Sequence, residues 1–301
     1  MLESDLIREF QAIFQRDIDS NLIVPNGDDG AVFVSDKEIV VSADVCVSGI
    51  HFDEKWSTPF EIGRKVTSAN LADICAMGGC PKYLIATVVL PSQTGALELA
   101  RGIAAEADKV GAKVIGGDLS AGHELTISIT AIGETLRPIR RSGANIGDRV
   151  YVSTLPGSSA AGLHILKSNL NQDSDLKKLL VSEHKAPTID YPKYKKAFSL
   201  ASAATDISDG LLLDAGHIAK SSNVKINLDK GVLAKSPLCD LDPERYLDWV
   251  LRGGEDHVLL CTSPSAIPGF IDIGVVEGGN GIELDGVEIE IGGYSHQWPS
   301  D

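Results

Sequence analysis

Acidic residues set against glycines recur along this chain, as Asp28-Asp29-Gly30, Gly116-Gly117-Asp118, Asp206-Ile207-Ser208-Asp209-Gly210 and Gly253-Gly254-Glu255-Asp256. Each group sits at a junction between apolar runs, where glycine permits a tight turn or a close approach of backbone to ligand. A fold must keep such carboxylates apart or place a proton or cation between them, because two charges at about 4 Å and an effective dielectric near 20 repel by about 4 kcal/mol. One close pair is expected from local pattern. The β-rich runs 32–34 and 38–42 flank the polar turn Ser35-Asp36-Lys37, and a hairpin about that turn would bring Asp29 and Asp44 to the same open end. A Gly/Asp turn entering a solvated hairpin explains Asp29 taken alone. It does not explain why other acids recur in similar positions.

The chain has 301 residues, enough for two domains with separate cores. Ser, Gly and Asn cluster at 143–147 between two strand-like runs, so the expected domains are 1–143 and 144–301. Apolar residues at 43% and 30 glycines suit a globular protein with many tight turns. A net charge of −15 and a pI near 4.8 argue against a nucleic-acid groove, which needs clustered Lys and Arg. They allow polyphosphate binding if divalent cations bridge the charges. The start carries Glu3, Asp5 and Glu9 rather than a basic-then-apolar signal, and the longest strong apolar run, 83–90, is too short to span a membrane. Cys46, Cys75, Cys80, Cys239 and Cys261 form no CxxC pair and are odd in number, so a reducing cytoplasm is expected, with neither a zinc site nor a disulfide framework.

Residues 4–14 read as an amphipathic helix. His51, in the loop Gly49-Ile50-His51-Phe52, is by itself an ordinary surface histidine. Thr58-Pro59 opens a helix with Thr as N-cap and Pro at its first position, running to about Met77 and stopping at Gly78-Gly79. Its apolar stripe is Ile62, Val66, Ala69, Asp73 and Ala76. A carboxylate on that buried line is costly unless paired, satisfied by backbone amides or bound to a cation. A strand at 83–90, a helix at 96–110 and a strand at 113–115 follow, the last placing Gly116-Gly117-Asp118 at a strand's carboxyl end, where α/β ligand sites collect. After a strand at 125–134, Arg141 lies in an exposed basic turn and reads equally as an anion cap or a surface charge.

In the second half, strands are expected at 149–153 and 257–262, helices after Pro156 and at 191–200 and 243–251, and short strands over 271–291. Ser208 reads as the N-cap of a helix over 209–220, with Asp209 favouring its positive end. That reading leaves Asp206 unexplained. Asp29, Asp44, Asp73, Asp118, Asp206, Asp209 and Glu255 thus form an oxygen-rich, histidine-poor set, which suits Mg²⁺ better than zinc or copper. The chain has no GxxxxGK[ST] loop, no GxGxxG fingerprint and no kinase HRD or DFG set. The residues alone point to a magnesium-dependent enzyme acting on a phosphorylated small molecule.

The same residues resemble a known family. GDDGA at 27–31, Ser42-Ala43-Asp44 with Gly49 to Phe52, Asn70-Leu71-Ala72-Asp73, Ile115-Gly116-Gly117-Asp118, Arg141-Ser142-Gly143-Ala144, Asp206-Ile207-Ser208-Asp209-Gly210 and Gly253-Gly254-Glu255-Asp256 stand in the order seen in thiamine-monophosphate kinases. That family belongs to the superfamily of aminoimidazole ribonucleotide synthetase and selenophosphate synthetase. The resemblance implies a two-domain α/β (α+β) synthetase-like fold, an N-terminal domain that dimerises through a mixed or antiparallel sheet, a C-terminal α/β domain, and a homodimer. It implies in-line transfer of the γ-phosphoryl of ATP to thiamine monophosphate with several Mg²⁺ ions, the last step of thiamine diphosphate biosynthesis. Carried over by position, Asp29, Ser42, Asp44, Asp73, Asp118, Asp206 and Asp209 resemble magnesium ligands, and Gly117, Asp118, Arg141 and Ser208 resemble ATP contacts. His51 and Glu255 resemble contacts to the thiamine phosphate, and Asp44, Asp73, Arg141 and Asp206 form the catalytic set. Ala43 stands where relatives often have Thr, and the aromatic residue that relatives place against thiamine corresponds to the region of Ile291, with Tyr294 and Trp298 nearby. Another ATP-dependent synthetase of the superfamily, a metal-dependent phosphatase and a non-catalytic metal-binding scaffold are the alternatives.

Overall fold

A computed structural model describes residues 3–14, 20–24 and 30–294. Asp29 and Trp298 lie outside the described residues. The chain packs as two units, Met1–Pro138 and Ile139–Asp301.

The first unit runs α1 (Glu3–Phe14), β1 (Leu22–Val24), β2 (Val32–Phe33), β3 (Glu38–Val47), α2 (Pro59–Ala76), β4 (Cys80–Leu90), α3 (Ala96–Asp108), β5 (Lys113–Ala121) and β6 (Thr126–Thr135). Its main sheet has the order β3-β6-β4-β5, antiparallel except for the parallel pair β4–β5. The expected hairpin between 32–34 and 38–42 does not form. β3 pairs along its whole length with β6, from Glu38 opposite Thr135 to Val47 opposite Thr126, while β2 pairs with β1. β3 lies at the edge of its sheet, beside β6, and the partner of 32–33 is β1.

One face of this sheet, carrying the fully buried Ile127, Ile129 and Ala131 of β6 and Leu84 of β4, packs under α2 and α3. The two helices cross closely at Gly63, where a Cβ would stand 2.3 Å from the Leu99 carbonyl oxygen, and at Gly102, where it would stand 2.1 Å from that of Phe60. Helix α2 begins as its sequence requires, with Pro59 in its first turn and a capping box in which Thr58 and Glu61 satisfy each other's backbone N–H groups. Its burial differs from the expected single stripe. Ile62, Val66, Thr67, Asn70, Leu71 and Ile74 are all buried, and Asp73 is only half-buried, on the more open line shared with Ala69. The opposite face of the sheet is apolar and open, with Ile39, Val41, Val45 and Ile85 exposed.

The second unit runs β7 (Arg149–Val152), α4 (Ser158–Lys167), α5 (Asp175–Lys185), α6 (Tyr191–Lys195), β8 (Ala203–Ile207), α7 (Leu211–Ser222), β9 (Lys225–Leu228), α8 (Lys230–Leu233), α9 (Leu238–Leu241), α10 (Tyr246–Arg252), β10 (Val258–Ser263), β11 (Ile271–Glu277), β12 (Gly281–Leu284) and β13 (Val287–Glu288). The sheet order is β13-β12-β9-β11-β7-β10-β8, mixed through the parallel pair β9–β12. Its core joins Val150, Val152, Ile207, Leu260 and Ile273 of the strands to Ala161, Ile165, Leu211, Leu212, Ile218 and Val250 of the helices. Two helices differ from expectation: α6 ends at Lys195, and α7 starts at Leu211 with Gly210, not Ser208, at its N-cap. Among the described residues no helix is long and apolar enough to cross a membrane.

Candidate active site

In the first unit the site is set by strand register. Alternation along β3 puts Ser42 and Asp44 on the same side as the buried Val40, the side that faces α2. Ser42 donates from Oγ to Asp73 Oδ2 at 2.5 Å, so the half-buried helical carboxylate has a charge-assisted partner. Asp44 is fixed through its backbone: its N–H donates to Asn70 Oδ1 at 3.1 Å and its carbonyl accepts from Ser128 Oγ at 3.1 Å. Asn70 is itself anchored by Nδ2 on the Val66 carbonyl at 2.9 Å. The turn after β3 carries His51, whose Nδ1 accepts the Val47 N–H at 3.1 Å, which leaves the other ring nitrogen as the N–H of a neutral imidazole. A cavity of about 470 Å³ lined by Ser48, Gly49, Asp53, Glu54, Lys55 and Glu124 adjoins this turn.

The glycine-acid turn at 116–118 lies within β5 rather than at its end, because β5 continues to Ala121 beside β4. Gly117 is required there: a Cβ would stand 1.9 Å from the Ala86 carbonyl oxygen. Register separates Asp118 from the other acids. Asp44, Ile129, Ala86 and Gly117 form one row across the sheet, on the helix-covered side. Val45, Ser128, Thr87 and Asp118 form the next row, on the open face.

In the second unit the site is an irregular loop between β8 and α7 whose backbone groups are satisfied internally. Asp214, in the first turn of α7 and without solvent exposure, accepts the N–H groups of Ser208, Asp209 and Gly210 on one oxygen, Oδ2, each at 3.1 Å. The carbonyls of Ile207, Ser208 and Asp209 accept from the N–H groups of His257 at 2.8 Å, Glu255 at 2.7 Å and Tyr294 at 2.8 Å. Glu255 and Tyr294, both expected at the substrate, are therefore tied to this loop. Glu255 also approaches His184 Nδ1 at 3.9 Å. Burial, with the nearby Asp206 charge, pushes the Asp214 carboxyl up to about 7.

Three consecutive residues after Gly254 each reach a different element. Glu255 lies beside the loop; Asp256, almost wholly buried, accepts from Gly157 N–H at 2.6 Å and Ser159 N–H at 2.9 Å; His257 Nδ1 bonds Asp206 Oδ2 at 3.0 Å. Since an ionised carboxylate only accepts, His257 is the donor. Glu255 and His257 hold φ near +64 and +50, conformations uncommon outside glycine, asparagine and aspartate. Asp256 supplies the cap that Gly157, the N-cap of α4, cannot give, and burial pushes its carboxyl up to about 6 against the pull of those two N–H groups. Arg141 is held by Nε on Thr205 Oγ1 at 3.2 Å. His217 of α7 lies within the field of both Arg141, which adds to burial in lowering its pKa, and Asp209, which opposes them.

The side chains on offer are carboxylates and hydroxyls. Among the described residues no group of three or more His, Cys, Asp or Glu side chains is set to hold a metal ion. Carboxylate and hydroxyl oxygens are of the donor type that Mg²⁺ takes. Asp214 Oδ1 is buried and has no hydrogen-bond partner. Asp214, Asp256, His257 and Asn70 are missing from the expected site. Asp214 had one visible signal, an acid in the apolar stretch Leu211-Leu212-Leu213-Asp214-Ala215.

Residues 27–135 match the family model of AIR synthase related protein, N-terminal domain. The thiamine-monophosphate kinase of Aquifex aeolicus is 34% identical over 298 residues, covering 94% of this chain and 95% of its own length. The crystal structure of the thiamine-monophosphate kinase of Stenotrophomonas maltophilia K279a superposes with a TM-score of 0.83 at 30% identity, covering 95% of this chain and 96% of that one. The complex of AaThiL with AMPPCP and TMP superposes with a TM-score of 0.81 at 32% identity, covering 98% and 97%.

Proposed function

The chain belongs to the thiamine-monophosphate kinase family of enzymes, and on that premise we propose that it transfers the γ-phosphoryl group of ATP to the phosphate of thiamine monophosphate, giving thiamine diphosphate and ADP. The observation that carries this reading is the similarity to the AaThiL complex with AMPPCP and TMP over 98% of this chain. That relative holds an ATP analogue and the monophosphate together.

In the reaction a terminal oxygen of the acceptor phosphate forms a bond to the γ-phosphorus as the bond from that phosphorus to the bridging oxygen of ADP breaks. The acceptor oxygen is already anionic, so no strong general base is needed, and catalysis rests on positioning and charge neutralisation. The residues divide accordingly. Ser42, Asp44 and Asp73 in the first unit and Asp206 and Asp209 in the second would hold Mg²⁺; Asp29, and Asp118 on the other sheet face, join them by resemblance alone. Bound Mg²⁺ would supply charge neutralisation to the triphosphate and the acceptor phosphate. Arg141, steadied by Thr205, offers its guanidinium to the phosphoryl group, with Gly117, Asp118 and Ser208 at ATP. His51, Glu255 and Tyr294 stand at the thiamine phosphate. We assign the magnesium- and ATP-binding domain to the first unit, the last step of thiamine diphosphate synthesis to the reaction, and the cytoplasm as its place. The open apolar face bearing Val41, Val45 and Ile85 supports a homodimer formed through it; light scattering on the purified protein should read twice the chain mass, and a monomer overturns this.

Purified protein given ATP, Mg²⁺ and thiamine monophosphate should release thiamine diphosphate and ADP in equal amounts, followed by chromatography, with thiamine itself inert as acceptor. Free phosphate without thiamine diphosphate would instead establish a phosphatase.

A further inference from the structure

We infer that Asp214 is a positioning residue of the active site: a carboxylate inside helix α7 that reaches back onto the loop before the helix and so presents Ser208 and Asp209 to the reaction. The inference rests on the kinase reading of that loop. In an ordinary N-terminus a Ser or Asp just before the helix turns its own side chain onto the first amides. Ser208 and Asp209 are suited to that task, and the chain does not use them for it. The N-cap falls on Gly210, which has no side chain, at φ near +121, and no N-cap side chain bonds the helix. Asp214, in the first turn, instead reaches back to the residues before it, one oxygen receiving the N–H groups of 208, 209 and 210.

The cap is joined to a second set of bonds. With the carbonyls of 207, 208 and 209 taken by the amides of His257, Glu255 and Tyr294, backbone donors and acceptors of the loop are engaged together. With those three N–H groups engaged, a phosphate meeting this loop is met by side chains. Three successive amides before a helix are otherwise an anion-binding feature, and here the chain's own carboxylate already occupies them. Removing Asp214 should thus do two separable things: loosen the three amides and misplace the side chains they carry.

The test uses the full-length Asp214→Ala and Asp214→Asn proteins. Amide exchange followed on peptides spanning 203–213 should quicken at 208–210 by about tenfold in Asp214→Ala, the scale of a lost helix cap, with β10 unchanged. In the kinase assay kcat should fall by about 100-fold, the scale expected of a misplacement near 1 Å, with the KM for thiamine monophosphate little changed. Asp214→Asn keeps an acceptor oxygen at the same place and should recover most of both losses. Should Asp214→Ala fail to fold, Asp214→Asn alone decides: exchange at 208–210 and kcat both close to the wild type support the inference, and near-wild-type exchange with kcat lost overturns it. Unchanged exchange at 208–210, or a kcat loss that Asp214→Asn does not relieve at all, overturns the inference. A wild-type protein without kinase activity sinks the functional reading instead and leaves the exchange result to judge the cap.

Discussion

The two units hold their acids by opposite means. In the first, Ser42 and Asp44 are placed by the register of β3 and Asp73 by the turn of α2; the stabilising ladder and core run through other atoms. In the second, Asp206 is placed by the pairing of β8 with β10, but Ser208 and Asp209 sit on a loop that has no ladder of its own and keeps its shape because the buried Asp214 and the amides of His257, Glu255 and Tyr294 bond its backbone. Regular elements let a chemical side chain be changed without disturbing the scaffold. A loop pinned by buried polar groups couples the two, because removing a pin leaves buried amides unsatisfied.

The largest expected effect lies in the first unit and should be confined to turnover. Asp44→Ala removes a carboxylate whose residue is anchored through its backbone to Asn70 and Ser128, so the anchors survive the change. Turnover should fall by about 10³-fold or more, the scale of losing an electrostatic contributor to phosphoryl transfer, while the melting temperature stays within a few degrees. Calorimetry beside the kinase assay would check both. A variant that also unfolds would break the contrast between the units.

A smaller effect of a different kind is expected from Asp256→Ala in the second unit. It strips the Gly157 and Ser159 amides of their acceptor in a buried setting, and each such amide costs about 1 to 3 kcal/mol when left unsatisfied. Unfolding in urea should register a loss of about 3 kcal/mol. Turnover should drop with it, since Glu255 and His257, on either side, are tied to the loop. Full stability with lost turnover would mean that the second unit, like the first, separates chemistry from scaffold.

This contrast also decides what could be read from the sequence. Thr58, Pro59 and Glu61 announce α2 because a capping box is local, and the glycine-acid groups mark the site because turns are local too. The partner of β3 is not local. Residues 32–33 pair with β1 instead, and β3, at the edge of its sheet, lies beside the distant β6. Asp73 fits an apolar stripe only when α2 is imagined with one buried side; packed by α3 and the sheet together, the helix buries most of its surface and leaves Asp73 on the open line. Ser208 fits every rule for an N-cap, and only the acid at 214 reaching back could have shown that the cap is made elsewhere. What escaped, in each case, was a competition settled by residues far along the chain or one helical turn ahead.

The smallest effect is a pH dependence peculiar to the second unit. Asp256 has its carboxyl pushed up to about 6 in the fold from an ordinary value of 3.8. Between those values the folded protein binds more protons than the unfolded chain, so this group stabilises the fold as pH falls through 6 and withdraws that support as pH rises. From pH 7.5 to 5.5 the gain amounts to just under about 1 kcal/mol, because only part of the titration is crossed and the unfolded carboxyl stays ionised throughout. Asp256→Asn cannot titrate, so the difference between the urea midpoints of wild type and variant, measured at both pH values, isolates the term from every other carboxylate. The difference should move in favour of the wild type at pH 5.5. A difference that stays flat would mean that the Gly157 and Ser159 amides fully offset burial. The Asp256 pocket would then be as tolerant of charge as the half-buried Ser42–Asp73 pair in the first unit, and the two units would differ in geometry alone.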